Sequence, residues 1–434
     1  MLVILSTLVV VMSIYVGLKL SGLGLAFASG IGLFILTMVL GMPPGNLPIN
    51  VALIIISVIG FIAILEECGG LDYMVSIAEK ILRKNPKHIN FLAPLTTYVM
   101  TIMAGTGHTT YSIIPVIVEV AKEQNIRPVR PLSSAVIAAQ IGIVASPVSA
   151  AIAASIGLFD KFNISLAQIL MVTIPSTFFG LFFLSLIIRF LPQDLNKESN
   201  FVDAMLLKSQ QKAQNKTPKD TSKGPLSVLL FLITIITIVM FGLFPSLKFV
   251  YSNGKSIDSS LLIVIVMLSG SCIAAILTKT KVANIPNQAT FKAGISAAIC
   301  ILGVAWLGDT ILSYYKAPLM EMAKDTLLQY PWSFALVLFM LSALLNSQAA
   351  TIIAIMPLGM SMGISPLVLL ASLPAACALA VLPTNPIVIG AATMDYTGSS
   401  KLGKYVFDHP FLIPGILGII FSVIFSYAIA EFVV

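Results

Sequence analysis

The sequence predicts an all-α polytopic membrane protein, an inverted repeat of two halves with five spans and one re-entrant hairpin in each. Three observations carry that expectation. Of 434 residues, 58% are hydrophobic and only 10% charged, against roughly 45–50% and about 25% in soluble domains. Apolar runs of about 20 residues recur from one end to the other, each enough to cross about 30 Å of hydrocarbon at 1.5 Å per residue. After a polar linker, the same order of spans, short-armed hairpin and broken span returns.

The net charge of +7 comes from 25 Lys+Arg against 18 Asp+Glu. These basic residues flank apolar runs, where they report orientation, so nucleic acid is not the expected partner. Cys68, Cys272, Cys300 and Cys377 are far apart, with no CxxC or Cys/His spacing. No disulfide framework, metal site or other cofactor is therefore expected. The first apolar stretch lacks a basic n-region and a small-residue cleavage site, and is read as a retained first span.

In the first repeat, residues 1–193, spans are expected at 2–20, 22–41 and 50–66, followed by a charged amphipathic segment at 70–84. From 89 to 121 an apolar helix runs into Gly105-Thr106-Gly107-His108-Thr109-Thr110 and out again, leaving arms of about 14 residues. Neither arm can cross alone. A re-entrant hairpin fits, because backbone at membrane depth is tolerated where protein buries it or where it lines a cavity. The span at 131–157 is interrupted at Ala145-Ser146-Pro147-Val148-Ser149, and 166–191 closes the half.

Residues 194–224 form the polar linker. The second repeat, 225–434, has spans at 225–247, 260–278 and 292–312 and an amphipathic segment at 313–330. A hairpin near 332–362 follows, its tip at Asn346-Ser347-Gln348-Ala349-Ala350-Thr351. A broken span at 366–392 is interrupted at Pro383-Thr384-Asn385-Pro386, and 411–433 ends the chain. Five is odd, so the second half lies inverted, as in many secondary transporters. A cytoplasmic linker, with both termini outside, puts 20 of the 25 Lys/Arg on the cytoplasmic face. Only Lys161, Lys248, Lys255, Lys316 and Lys324 fall outside, which agrees with the positive-inside rule.

A broken helix leaves amides unpaired at one half-helix and carbonyls at the other. Half-helix N-termini attract anions, and carbonyl ends can coordinate cations. The side chains at the tips and breaks are small hydrogen-bonding groups: Thr106, Thr109, Thr110, Ser146, Ser149, Asn346, Ser347, Gln348, Thr351, Thr384 and Asn385. They suit carboxylate oxygens, while Gly105 and Gly107 permit close backbone approach and Pro147 and Pro386 mark the breaks. His108 can donate to a carboxylate or titrate near neutral pH. The competing reading makes these packing residues of membrane helices and proline kinks.

Among the charges, Glu79 and Arg83 stand at i and i+4 on the first amphipathic segment, a spacing for an ion pair. Arg127 and Arg130 lie between hairpin and broken span, where guanidinium forks can guide a dicarboxylate. A solvated face and an orientation signal are the respective alternatives. Asp309 is the acid expected within the membrane, or else a cap at its face. Glu66 and Glu67 end a span and are read as a solvated pair.

The runs IAEKILRKNPKHI, GTGHTTYSIIPVIVEVAKEQNIRPVRPLSSAV, AQIGIVASPVSAA, FKAGISAAICILGVAWLGDT, NSQAATIIAIMPL, LPTNP and KYVFDHPFLIPG resemble the bacterial Dcu family of anaerobic C4-dicarboxylate transporters, nearest its DcuA and DcuB branch. The likeness covers nearly the whole chain except the linker. It implies exchange or uptake of fumarate, succinate, malate and aspartate across the cytoplasmic (inner) membrane during anaerobic growth. It also implies a scaffold part and a moving transport part, a homodimer, and transport roles for Glu79, Arg83 and Arg127. Some relatives work with a membrane sensor kinase, for which Thr393 and Asp395 are the positions implied.

The expected mechanism is alternating access with dicarboxylate antiport. Proton- or sodium-coupled uptake of an organic anion is the alternative. A channel predicts polar stripes along whole spans, and an enzyme a catalytic constellation such as HExxH or GxxxxGK[ST]; the sequence has neither.

Overall fold

The computed structural model describes the chain apart from residues 1, 21–22, 46, 48, 191–221, 245–246, 248–250, 252–256, 258, 316–328, 346, 384, 396 and 403–407. Asn346, Thr384, most of the 194–224 linker and most of the second amphipathic segment lie outside the described residues.

The first half opens with α1 (Leu2–Leu20), α2 (Gly24–Phe34, continued by a π turn over Ile35–Val39) and α3 (Ile49–Glu67). After α3 the chain bends by 70° into α4 (Gly70–Lys84). That helix is the expected amphipathic segment: Met74, Ala78 and Leu82 are buried on one face, while Asp72, Glu79, Arg83 and Lys84 stand on others.

Over the residues of the expected hairpin stand α5 (Ile89–Ala104), a 3-10 turn at Gly107–Thr109, and α6 (Thr110–Glu123). Over the expected broken span stand α7 (Val129–Ile141), a 3-10 turn over Gly142–Ala145, extended backbone at Ser146 and Ser149, and then α8 (Ala150–Phe159). Proline at 147 and the serine cap end one half-helix and start the other. α9 (Leu166–Ile188) closes the half, started by a capping box between Ser165 and Gln168.

The second half gives α10 (Gly224–Leu243), α11 (Ser259–Leu277), α12 (Ala289–Tyr314), the hairpin arms α13 (Ser333–Leu345) and α14 (Gln348–Ser361), and α17 (Leu412–Val433). Between them lies a second interrupted element: α15 (Pro366–Ala371), a 3-10 stretch over Leu373–Ala380, and α16 (Pro386–Met394).

Four stretches are each long and apolar enough to cross a membrane among the described residues: Val129–Phe162, Leu166–Ile188, Gly224–Phe241 and Leu412–Val433. Shorter apolar helices occupy most other expected spans. Phe178, Phe179, Phe182 and Phe183 of α9 are exposed, as a surface toward hydrocarbon requires.

Packing sorts the helices. α1 packs on α2, α2 on α12, and α3 on both α11 and α12. Elsewhere α9 runs along α17, α5 packs on α7, and α13 on the 3-10 stretch 373–380. Hairpin arms and half-helices are exchanged between halves: α6 of the first packs against α16 of the second, and α14 of the second against α8 of the first. The two groups meet where α3 touches α8 and α12 touches α14.

Candidate functional site

Each tip or break starts its half-helix with a polar cap. Thr106 Oγ1 accepts from His108 N at 3.4 Å, and Ser149 Oγ accepts from Ile152 N at 3.1 Å. Ser347 Oγ accepts from Ala350 N at 3.3 Å, and Asn385 Oδ1 from Ile387 N at 2.9 Å. A cap satisfies one of the amides freed at a helix start and leaves others free for a ligand.

These four places converge. Gly105 has φ +66°, and a Cβ there would sit 2.8 Å from the carbonyl oxygen of Val148 in the first break. A Cβ on Gly107 would sit 2.7 Å from Ile387 beyond the second break. Backbone can approach this closely only without a side chain. Ser146 Oγ donates to the Ile102 carbonyl at 2.6 Å, fixing the first break to the first hairpin. Gln348, at the second tip, donates to the Gln140 carbonyl at 2.7 Å, and Gln140 donates to Asn385 at 3.1 Å.

Beside them lies a cavity of about 650 Å³. Of the residues singled out in the sequence, Gly105, Thr106, His108, Thr109, Ser347 and Gln348 line it. Gly107, Thr110, Ser146, Pro147, Ser149, Thr351 and Asn385 are not among the lining residues. Thr351 Oγ1, for example, turns back to the Ser347 carbonyl at 2.7 Å. The starts of three half-helices reach the cavity: Tyr111 and Ser112 of α6, Ala150 and Ala151 of α8, and Gln348 to Ala350 of α14. α3 lines the cavity with apolar Ile55, Val58, Ile59 and Ile62 and, at its end, Glu66, and α12 with Thr290 and Gly294. Leu71 and Val75 of α4 carry the lining toward the face where α3 ends.

The described lining contains no Lys or Arg, and its ionisable side chains are Glu66, His108 and Tyr111. His108 stacks on Tyr111, ring centroids 5.9 Å apart at 7°. Positive potential therefore comes from helix starts, each carrying roughly half an elementary charge. Such a cavity suits a small anion with an apolar middle. No group of three or more His, Cys, Asp or Glu side chains is placed to hold a metal ion among the described residues.

The charges named in the sequence lie elsewhere. Arg83 donates to Glu79 and to Glu119, each at 2.8 Å, and approaches Glu123 at 3.6 Å, tying α4 to α6. The two hydrogen-bonded carboxylates hold its guanidinium above the ordinary arginine range. Arg127 sits half-buried in the α6–α7 turn, and Arg130 is buried at the start of α7. Asp309 lies on α12 beside Gly45, and is not among the lining residues. Asp395 is buried and accepts from Thr397 N, Ser399 Oγ and Ser400 N, while Thr393 is exposed.

The reading of Glu66 and Glu67 as a solvated pair is corrected. Glu66 accepts from Thr290 N at 3.0 Å and from its hydroxyl at 2.6 Å, at the start of α12. Glu67 accepts from Asn284 at 2.7 Å and from Gln288. A carboxylate at a helix N-terminus meets both free amides and the positive end of the dipole, and that outcompetes solvent here. Sequence inspection also passed over Gln140, Glu119 and the α3 wall. Only the polar amide inside an apolar run, at Gln140, was a signal that local inspection could have used.

The sequence profile of the anaerobic C4-dicarboxylate membrane transporter family, DcuA_DcuB, matches residues 2–434. The chain belongs to this family. It is 42% identical over 424 residues to the C4-dicarboxylate transporter DcuA of Wolinella succinogenes, with 98% of each chain covered. To DcuA of Escherichia coli K12 it is 39% identical, covering 99% of this chain and 100% of the relative. The anaerobic C4-dicarboxylate transporter DcuB of Escherichia coli CFT073 is 34% identical, with 99% of each covered. Membership makes the chain a multi-pass membrane transporter and not an enzyme. The crystal structure of the YdaH transporter from Alcanivorax borkumensis shares the fold at TM-score 0.55 and 15% identity, over 88% of this chain and 84% of that one.

Proposed function

We propose that the chain exchanges C4-dicarboxylates such as fumarate, succinate, malate and aspartate across the bacterial cytoplasmic membrane by alternating access. The observation that carries this reading is one cavity of about 650 Å³ reached by the starts of α6, α8 and α14 and bounded by two polar tips. One carboxylate sits at the helix starts beside Thr106 and Thr109, the other near Ser347 and Gln348, and the carbon chain lies against Ile55, Val58 and Ile62. Amide dipoles hold the anion without a strong point charge, which keeps release as accessible as capture.

The two packing groups supply the moving parts. The hairpins and half-helices, with α9 and α17, carry the substrate, and α1–α3 with α10–α12 form the scaffold whose α3 closes the cavity wall. The exchange of arms between halves supports an inverted repeat of five spans and one hairpin each. Its linker is then cytoplasmic and its termini outside, and the cavity, reaching Glu66 and Leu71, faces the cytoplasm. Exchange of one dianion for another moves no net charge and needs no ion gradient. The family likeness adds a homodimer, and a membrane sensor kinase that would meet the exposed Thr393.

Proteoliposomes loaded with succinate test the reading: labelled fumarate or aspartate enters fast only with dicarboxylate inside. Uptake indifferent to internal dicarboxylate, and driven by a proton or sodium gradient, would instead establish coupled uptake of an organic anion.

A further inference from the structure

α7 is an apolar half-helix buried continuously from Arg130 to Ile141. Within it Gln140 is 1% exposed, and an amide so placed is costly unless hydrogen-bonded. Its Nε2 donates to Asn385 Oδ1 at 3.1 Å. Because Ile387 N–H donates to that same Oδ1 at 2.9 Å, the atom is an acceptor, which fixes the Gln140 nitrogen as the donor. The Gln140 carbonyl accepts from Gln348 at 2.7 Å. One residue earlier, the Ala139 carbonyl lies 3.2 Å from where a Cβ on Gly107 would stand. Two consecutive residues of α7 therefore meet the first tip, the second tip and the second break.

We propose that Gln140 is a positioning residue for substrate binding. Its side chain holds the cap of α16, while its main-chain carbonyl receives the start of α14, so that two second-half elements meet on one residue of the first half. The inference rests on the cavity being the dicarboxylate site. Gln140 does not line that cavity; its side chain acts through Asn385, the cap of α16, and α16 packs against α6, whose start does line it. Helix starts stabilise an anion only when they aim at it, and the effect fades within a turn. A small loss of register of α16 shifts the start of α6 that packs on it relative to the start of α14, and lowers affinity without touching the substrate.

A purely structural role predicts a different result. Replacing a buried amide by leucine is close to neutral when its partner stays satisfied, and Asn385 Oδ1 keeps the Ile387 amide. The test uses the full-length purified protein, with fumarate–succinate exchange in proteoliposomes and thermal unfolding in detergent. Gln140→Leu is expected to raise the KM for fumarate about tenfold, the equivalent of one hydrogen bond of about 1.4 kcal/mol. The maximal rate stays within about twofold, and the unfolding midpoint of the substrate-free protein moves little. An unchanged KM, or a loss confined to the maximal rate, overturns the proposal.

Gln140→Glu keeps the test decisive if the leucine variant fails to fold. As a carboxylate it has no proton to give Asn385, whereas its acid form donates one. Burial at this position raises the carboxyl's pKa above the ordinary glutamate value, so the ratio of its KM to that of the wild type should fall several-fold between about pH 8.5 and about pH 5; a constant ratio overturns the proposal. Thr106→Ala and Ser347→Ala separate this failure from failure of the site. If those raise KM while Gln140→Leu does not, only the role of Gln140 fails; if none does, the cavity is not the site.

Discussion

Arg83 on α4 donates to Glu119 on α6 at 2.8 Å, joining the amphipathic helix to the outgoing arm of the first hairpin. Glu79 and Glu123 complete a cluster of three acids around one base. All four side chains are substantially exposed, 40–59%, so each pair contributes on the order of 0–1 kcal/mol at most.

Arg83→Ala leaves three acids facing one another. The expected result is a thermal midpoint lower by a few degrees at low salt, with the difference vanishing near 1 M salt, where the screening length is about 3 Å. Glu119→Gln should have the smaller effect, because Glu79 still pairs with Arg83. Differential scanning at both ionic strengths checks this. A loss that persists in high salt would mean that Arg83 acts by packing.

The two serine caps have different surroundings. Ser149 caps α8 and is not a lining residue, whereas Ser347 caps α14 and lines the cavity. Replacing either by alanine should cost about 1 kcal/mol of stability. Only Ser347→Ala should also raise the KM for fumarate several-fold, read by exchange kinetics beside unfolding curves.

Gly105→Ala forces a left-handed φ of +66° on a residue with a Cβ that meets the Val148 carbonyl. The strain is of order 1–3 kcal/mol at the tip itself. Saturating fumarate, near 100 times its Kd, should stabilise the wild type by about 2.7 kcal/mol. The variant should show a much smaller ligand-induced shift while remaining folded in the membrane.

Glu66 places a carboxyl group on the wall of a cavity proposed to take dianions. Glu66→Gln keeps an acceptor for Thr290 N–H and removes the charge. The expected outcome is tighter fumarate binding, by roughly 1 kcal/mol through partial dielectric screening, so KM falls several-fold. A rise in KM would show that Glu66 matters through the α12 terminus instead.

Much of this architecture was legible in the chain. The arms flanking Gly105-Thr106-Gly107-His108 are too short to cross, and Pro147 with Ser149 writes a break into an otherwise continuous span; both are local signals. The amphipathic α4 shows itself by its period. What stayed hidden depends on residues far apart in sequence: Glu66 finding Thr290, Arg83 finding Glu119, and Gln140 finding both Gln348 and Asn385. No local signal names these partners: the packing of one half into the other chose those of Glu66 and Gln140, and the packing of α4 on α6 within the first half chose Glu119. The same packing decides which tip residues face the cavity, so Thr109 lines it while its neighbour Thr110 does not.

The central claim is that a dicarboxylate sits between the two hairpin tips, and substrate protection tests it most directly. In a background freed of native cysteines, Thr106→Cys and Ser347→Cys are labelled with a small maleimide in proteoliposomes competent for exchange. Fumarate and succinate should slow labelling at both positions, half-maximally near the KM for exchange, while acetate should not. Exchange that proceeds normally with neither position protected would contradict the account.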